Sequence, residues 1–432
     1  MLKIGFAETD ITPPLGTRMA GHFDDRRVES IHDPLYAHAM ALESNCPLIL
    51  VTCDLLSLKA STVAEIRRQV CARIDLAPEQ ISVSTTHTHT GPATSRIFTM
   101  DPDPQYVQTV ADQAAQAALQ AWEARQGAVL TVGWTFEGKL SHQRRFMMRD
   151  GRVLMHPPKG SPHILYQEGP SDPEVGVLWA TDTDDNPLGC WVNFACHATS
   201  VGGGAAVSAD YPGYLAAEMK NRLGEQFVTC FANGCCANLC QIDVYDTERQ
   251  ERGHEWARHM GETLAGDVVR AVCEGETLEQ FFLDQRSVTV PLPLRDIPED
   301  LLTWAAEIMG SPEDHEFRER CYALMAQELL EQRRLAPTVP AEITAYRLGD
   351  FALVTLPGEI FCEYGLDLKL HSPARRTFVV ELANGIVGYV PTRRAFAGGG
   401  YEQRTATSSK LHPVAGEMMV ATADALLKSM FC

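Results

Sequence analysis

The stretch ISVSTTHTHTGP at residues 81–92 constrains the chain more than any other. Ile81 and Val83 open it with β-branched side chains and Gly91 and Pro92 close it, which predicts a short strand ending at a mouth that carries His87 and His89. In extended backbone the side-chain period of two places both imidazoles on one face. Two imidazoles converging on one point can grip a borderline-soft ion such as zinc. Hydrogen-bonded histidines in a threonine-rich turn are the competing reading, and ligands from elsewhere in the chain have to decide between the two.

Three further places put a ligand-type residue at the end of a strand-like run. His197 closes WVNFAC, Glu359 follows the strand-like residues 354–356 and the turn residues Pro357 and Gly358, and Tyr389 stands between Gly388 and Pro391. Each has a plainer reading: a histidine bonded to backbone, a carboxylate capping the next helix, a tyrosine packed on glycine. Asp54, ending PLILVTCD, is either placed for chemistry or a turn residue. HEWARH at 254–259 is set aside because its histidines are five apart and share no helical face. NGCCANLC at 233–240 lacks paired CxxC spacing, and GGGAAVSADYPG at 202–213 lacks the Lys-Ser/Thr of a phosphate loop.

The periodicities predict an α/β chain of mixed sheets flanked by helices. Strands are expected at 3–11, 35–45, 47–54 and 81–86. A helix after Ser61 and Thr62 carries Val63, Ile66, Val70 and Ile74 on one face. Further helices are read at 105–125, 211–223 and 248–273, a hairpin at Asp150 and Gly151, a loop at 157–173, and two strands over 174–197. Residues 299–334, broken at Gly310, Ser311 and Pro312, read as an inserted helical hairpin, either beside the sheet or at a homo-oligomer contact. Strands at 278–296 and 339–356 flank it. No linker or repeat interrupts residues 1–432, so one catalytic domain is expected.

The formal charge of −19, from 56 acidic residues against 37 Lys and Arg, argues against nucleic acid or an anionic membrane as partner, while leaving room for a local basic pocket. No window is long and apolar enough for a membrane span, MLKIGFAETDITPP does not read as a secretion leader, and the 13 scattered cysteines read as reduced thiols. A cytoplasmic location is the expectation.

Ordered segments then carry a resemblance. GFAETDITPPLGTRMAG (5–21), HDPLYAHAMAL (32–42), the aspartate of VTCD (51–54), TTHTHTGP (85–92), QRRF (143–146), SDPEVGVL (171–178), NFACHAT (193–199), SADYPG (208–213), FANGCCAN (231–238), LPGE (356–359), and ANGIVGYV with GGGYEQR (383–404) are similar to the neutral/alkaline, non-lysosomal ceramidase family in its N-terminal catalytic domain. The resemblance implies a ceramidase-like layered fold and one Zn2+ per chain, bound by His87, His197, Glu359 and Tyr389. It also implies that His89 lies beside the metal, Arg144 near the substrate amide, and Tyr401 in the pocket. The chain departs from the family pattern at Gln143 and Ile386, shows no secretion signal, and ends at Cys432 before a C-terminal immunoglobulin-like domain would fit. Ile386 and the lack of a secretion signal point the expectation toward a soluble small molecule.

The implied activity is a zinc-dependent amidohydrolase that cleaves a linear N-acyl bond of a soluble or lipid-like small molecule with metal-activated water. Arg144 would stabilise the oxyanion or bind a substrate carboxylate. His89 would either shuttle the proton from water to the leaving amine or donate to Asp54 or Asp10 to orient the site. Tyr389, a weak ligand, could leave the metal to donate a hydrogen bond. An esterase or lactonase is the neighbouring alternative, and a non-catalytic metal-binding or structural protein is the alternative of another class.

Overall fold

Alternation along the strands sorts the apolar residues into separate cores on the two faces of one large sheet. The structure is a computed structural model and describes residues 2–96, 101–278 and 281–431. In the strand Tyr36–Glu43, Ala37, Ala39 and Ala41 enter one core, and Met40 and Leu42 enter the other. Ile49 and Val51 part from Leu48 and Leu50 in the same way along Leu48–Cys53.

From edge to edge the large sheet runs Val228–Asn233, Pro187–Phe194, Glu174–Asp182, Gln126–Phe136, Lys3–Asp10, Tyr36–Glu43, Leu48–Cys53 and Ile81–Thr85, with Glu276–Thr277 beside Gln126–Phe136. The outermost pair at each end is parallel and the pairs between are antiparallel. Helices Ala60–Cys71 and Pro104–Glu123 cover one half of a face, and Asp210–Leu223 with His254–Cys273 cover the other half. The opposite face packs on a second sheet of Leu283–Pro293, Thr338–Leu348, Phe351–Thr355 and Arg376–Val380, through Tyr346, Phe351, Leu353 and Phe378. Helices Cys362–His371 and Ala415–Phe431 close that sheet's outer face. The order is helix, sheet, sheet, helix, the layered α/β arrangement with mixed sheets that the patterns predict.

Several boundaries differ from expectation. The first helix starts at Ala60, because Lys59 already has the extended backbone of a cap, and Ser61 falls inside the helix. The loop expected over 157–173 contains a strand, Ile164–Gln167, which pairs with Arg145–Met148 and extends the hairpin at Asp150 and Gly151 to three strands. The strand expected over 339–356 is two, folded back at Gly349 (φ 62°). The strand expected from 278 is ordered as Leu283–Pro293, and its residues 279–280 lie outside the described ones. Residues 299–334 do form a helical hairpin, Glu299–Gly310 and Phe317–Leu335, whose second helix packs Tyr322 and Met325 toward Ala406 and Phe23. Among the described residues no helix is long and apolar enough to cross a membrane, and the twelve described cysteines form no disulfide.

The parallel strands of both sheets end at one common edge, where cross-bonds tie them together. Asn384 donates its amide N–H to the Val83 carbonyl at 2.7 Å and accepts from the Val83 amide at 2.9 Å. Asn193 Nδ2 bridges the Ala232 and Val379 carbonyls at 2.9 and 3.1 Å, and the Glu381 amide donates to Asn233 at 3.0 Å. The carboxyl ends of parallel strands are where α/β proteins hold ligands.

Candidate metal centre

Each candidate histidine sits just past a strand end. The strand Ile81–Thr85 stops before the HxH pair, and His87 has φ 64°, so the two imidazoles do not share a face of extended backbone as expected. They converge because the left-handed turn at His87 folds the chain back, with the Thr86 and His87 amides donating to Cys53 and Leu55. Such backbone in a non-glycine residue costs about 1–3 kcal/mol and tends to be kept at working sites.

The three histidines are oriented alike. His87 Nδ1 donates to the Leu56 carbonyl at 2.8 Å, His197 Nδ1 to the Cys236 carbonyl at 2.8 Å, and His89 Nδ1 to the Gly21 carbonyl at 2.9 Å. A carbonyl only accepts, so each Nδ1 carries the proton and each Nε2 presents its lone pair inward. The Nε2 atoms of His87 and His89 are 3.3 Å apart, and Glu359 Oε2 lies 3.5 Å from His87 Nε2 and 3.7 Å from His197 Nε2. That carboxylate oxygen is buried without a hydrogen-bond partner among the described residues. Gly21 (φ 94°) permits the close approach, since a Cβ there would stand 2.9 Å from the His89 Cβ.

Glu359 and Tyr389 are paired residues of a short parallel ladder, Glu359–Ile360 with Tyr389–Val390. Gly388 (φ 91°) sets Tyr389 in place, because a Cβ on it would meet the Ser408 carbonyl at 2.4 Å, the same carbonyl that accepts from the Tyr389 amide at 2.9 Å. The Tyr389 and Tyr401 hydroxyls are hydrogen-bonded to each other. Burial and the Glu359 charge raise the Tyr389 phenol well above its ordinary value, and burial raises Tyr401, so both keep their protons.

The surrounding charges divide the imidazoles. Burial and the Arg144 charge push His197 down to about 3, and burial with the neighbouring imidazoles holds His89 well below its ordinary value. Burial works against a charge on His87, but Glu359 outweighs it and raises the group. Burial likewise opposes ionised Glu359, which His197 and His87 nonetheless hold well below the carboxylate range. Three imidazole nitrogens, a carboxylate and a phenol around a buried carboxylate oxygen without a partner make a donor set suited to a borderline divalent metal ion.

One expectation changes. His89 does not donate to Asp54 or Asp10; the histidine against Asp54 is His38, whose Nε2 is 3.5 Å from Asp54 Oδ2. Arg144 lies against the candidate metal centre: its Nε donates to Glu402 at 3.1 Å, its Nη1 lies 3.3 Å from His197 Nε2, and its guanidinium stands 5.7 Å from the Tyr401 ring centroid. Its Nη2 is buried without a hydrogen-bond partner among the described residues. Glu402 and Glu381 were not anticipated. Glu402, fully buried, holds Arg144 and also Arg145 Nη1 at 2.8 Å. Glu381, with its carboxyl pushed by burial up to about 8, accepts from the Ile360 amide at 2.6 Å and from Cys236 Sγ at 2.9 Å, linking the segments that carry Glu359 and the His197 acceptor.

A cavity of about 460 Å³ opens over this centre, lined by His87, His89, Glu359, Tyr389 and Tyr401 at one end and by Phe23, Leu56, Met325 and Ile386 along its walls. Met325 brings the inserted hairpin to the site. A second ligand-type group, His32, Asp33 and His254, includes the first histidine of HEWARH; there the His32 and His254 rings stack at 3.5 Å and both bond the Tyr214 hydroxyl.

No family model matches the chain, and no curated protein matches it. Among solved structures, it is similar to the neutral ceramidase from Pseudomonas aeruginosa, with a TM-score of 0.79 and 17% identity over 100% of this chain and 74% of that one. It is also similar to a ceramidase complexed with C2, with a TM-score of 0.78 and 17% identity over 99% of this chain and 75% of that one. The fold is therefore ceramidase-like.

Proposed function

We propose that this chain is a zinc-dependent amidohydrolase that cleaves the N-acyl bond of a small or lipid-like substrate. The observation that carries the reading is the set of three backbone-pinned imidazoles presenting Nε2 atoms around the unpartnered Glu359 Oε2. His87, His197, Glu359 and Tyr389 would hold one zinc ion. When bound, such an ion polarises an acyl carbonyl and lowers the pKa of water toward neutrality.

The chain's own groups supply the rest. His89, the most exposed of the three histidines, lines the cavity and takes the proton of the attacking water, then returns it to the leaving amine. Tyr389 and Tyr401 keep their protons; one hydroxyl donates to the other, and the hydroxyl that accepts donates its own proton to the carbonyl oxygen as negative charge grows on it. Arg144, held by Glu402, adds a fixed positive charge behind Tyr401 and His197. Phe23, Leu56, Met325 and Ile386 offer an apolar seat for the acyl chain. The likeness to two ceramidase structures supports an amide over other acyl bonds, and the free thiols support the cytoplasm as the place of action.

The test is metal analysis of the purified protein together with a screen of N-acyl compounds and their matched esters. About one zinc per chain and amide cleavage that is lost on chelation and restored by zinc are expected. Full activity without metal, or cleavage of esters alone, overturns the reading.

A further inference from the structure

The cavity over the metal centre contains an unbalanced set of charges. Among the described residues that line it the one carboxylate is Glu359, whereas the cations are Lys59, Arg96 and Lys410. Arg96 is neutralised by Glu328 at 2.8 Å and Asp101 at 3.5 Å. The side-chain ammonium groups of Lys59 and Lys410 have no hydrogen-bond or carboxylate partner among the described residues. For Lys410, which is partly buried, this is unusual in a chain of net charge −19 whose other partly buried lysines are answered: Lys369 by Asp172 and Glu174, Lys159 by Glu251, Lys220 by Glu8; Lys59 is exposed.

Burial and the charge of Lys59 push Lys410 down to about 8, a cost that a bound anion would relieve. The same wall carries the amino end of the twelve-residue helix Ala60–Cys71, which begins at Lys59 with no side-chain cap and no acidic residue in its first turn. Its free N–H groups and dipole add partial positive charge at the same place. The hydroxyl residues Ser57 and Thr407 line the cavity as well.

We infer that Lys59, Lys410 and the amino end of this helix form an anion subsite, and that the substrates are N-acyl compounds bearing a carboxylate or phosphate. This rests on the amidohydrolase reading for the bond cleaved, but the subsite itself does not need the metal. One molecule would place its amide beside Glu359 and Tyr389 and its anionic group between the lysines, since both ends line one cavity of about 460 Å³. Arg144 is ion-paired with Glu402 and is not among the residues that line the cavity, whereas these two lysines are.

The experiment compares matched substrates with the zinc-loaded protein: N-hexanoylglycine against N-hexanoylethanolamine for charge on the amine side, and N-succinyl against N-butyryl p-nitroanilide for charge on the acyl side. At least one charged member should be preferred by about tenfold or more in kcat/KM, mostly through KM. Lys410→Met should lower the charged-to-neutral ratio by about tenfold, and Lys410→Arg should retain most of it. No preference in either pair, or a preference that survives both Lys410→Met and Lys59→Met, overturns the subsite. Calorimetric titration of metal-free protein with N-hexanoylglycine and hexanoyl phosphate reads the subsite without turnover. Binding weakened by Lys410→Met supports it even if no amide is cleaved, an outcome that would sink only the amidohydrolase reading. Absence of binding by either anion overturns the subsite alone.

Discussion

Glu359 and Tyr389 stand opposite each other in a two-residue parallel ladder, so a carboxylate and a phenol from distant parts of the chain are fixed side by side by backbone hydrogen bonds. Both should respond to substitution, but differently. Glu359→Gln should lose most of the bound zinc, because it removes the charged donor nearest to His87 and His197. Tyr389→Phe should lower turnover by about 10²-fold or more while zinc content falls much less, as expected for a phenol that serves the transition state. Metal content and kcat measured on the same preparations decide, and equal losses for Tyr389→Phe would make that residue mainly structural.

His89→Gln should reduce kcat by about 10²-fold or more with zinc content near that of the parent protein. The His89 and His87 Nε2 atoms are only 3.3 Å apart, close enough for both to bind one ion, so metal analysis is the discriminating measurement. Zinc lost in parallel with activity would move His89 into the ligand set.

Glu402→Gln should destabilise the protein by roughly 3–5 kcal/mol, because it leaves the buried guanidinium of Arg144 without a counter-charge and halves the support of Arg145. Urea unfolding followed by circular dichroism measures the change. A shift below about 1 kcal/mol would mean that Glu402 is dispensable to the fold.

Stability should also depend on pH through the buried group Glu8, His38, Asp54 and Lys220. Burial disfavours charge on His38, but Asp54 and Glu8 outweigh it and raise the imidazole from 6.5 to about 9. Burial would raise the Glu8 carboxyl, yet His38 and Lys220 hold it at about 2, below its ordinary 4.5. The raised histidine contributes stability fully below pH 6.5 and loses it as pH rises through about 9; the lowered carboxyl contributes above pH 4.5 and loses it as pH falls through about 2. Thermal unfolding from pH 5 to 10 should show a decline above 6.5 that His38→Gln flattens. An equal slope in both proteins would remove His38 as its source.

Much of the fold was legible because two-sided burial writes itself as alternation: Ala37, Ala39 and Ala41 against Met40 and Leu42 can only be a strand between two layers. The candidate donors were legible because His197 closes the apolar run WVNFAC, Glu359 follows a strand-like run and a turn, and His87 closes an alternating strand, with the family resemblance joining them and Tyr389 into one set. The turn at His87 was not, since a positive φ in a histidine has no local signature. Nor were Glu381 and Glu402 marked by any pattern, their partners Cys236 and Arg144 lying 145 and 258 residues away. Lys59 and Lys410 read as ordinary surface lysines until the fold brings them to one cavity wall.

The donors also span both sheets: His87 and His197 extend from strands of the large one, while Glu359 follows a strand of the small one. An ion at this point would rivet the sandwich together at its open edge. Resistance to unfolding should then climb with the logarithm of free zinc, so that cellular zinc supply governs how long the folded chain lasts as well as how fast it turns over.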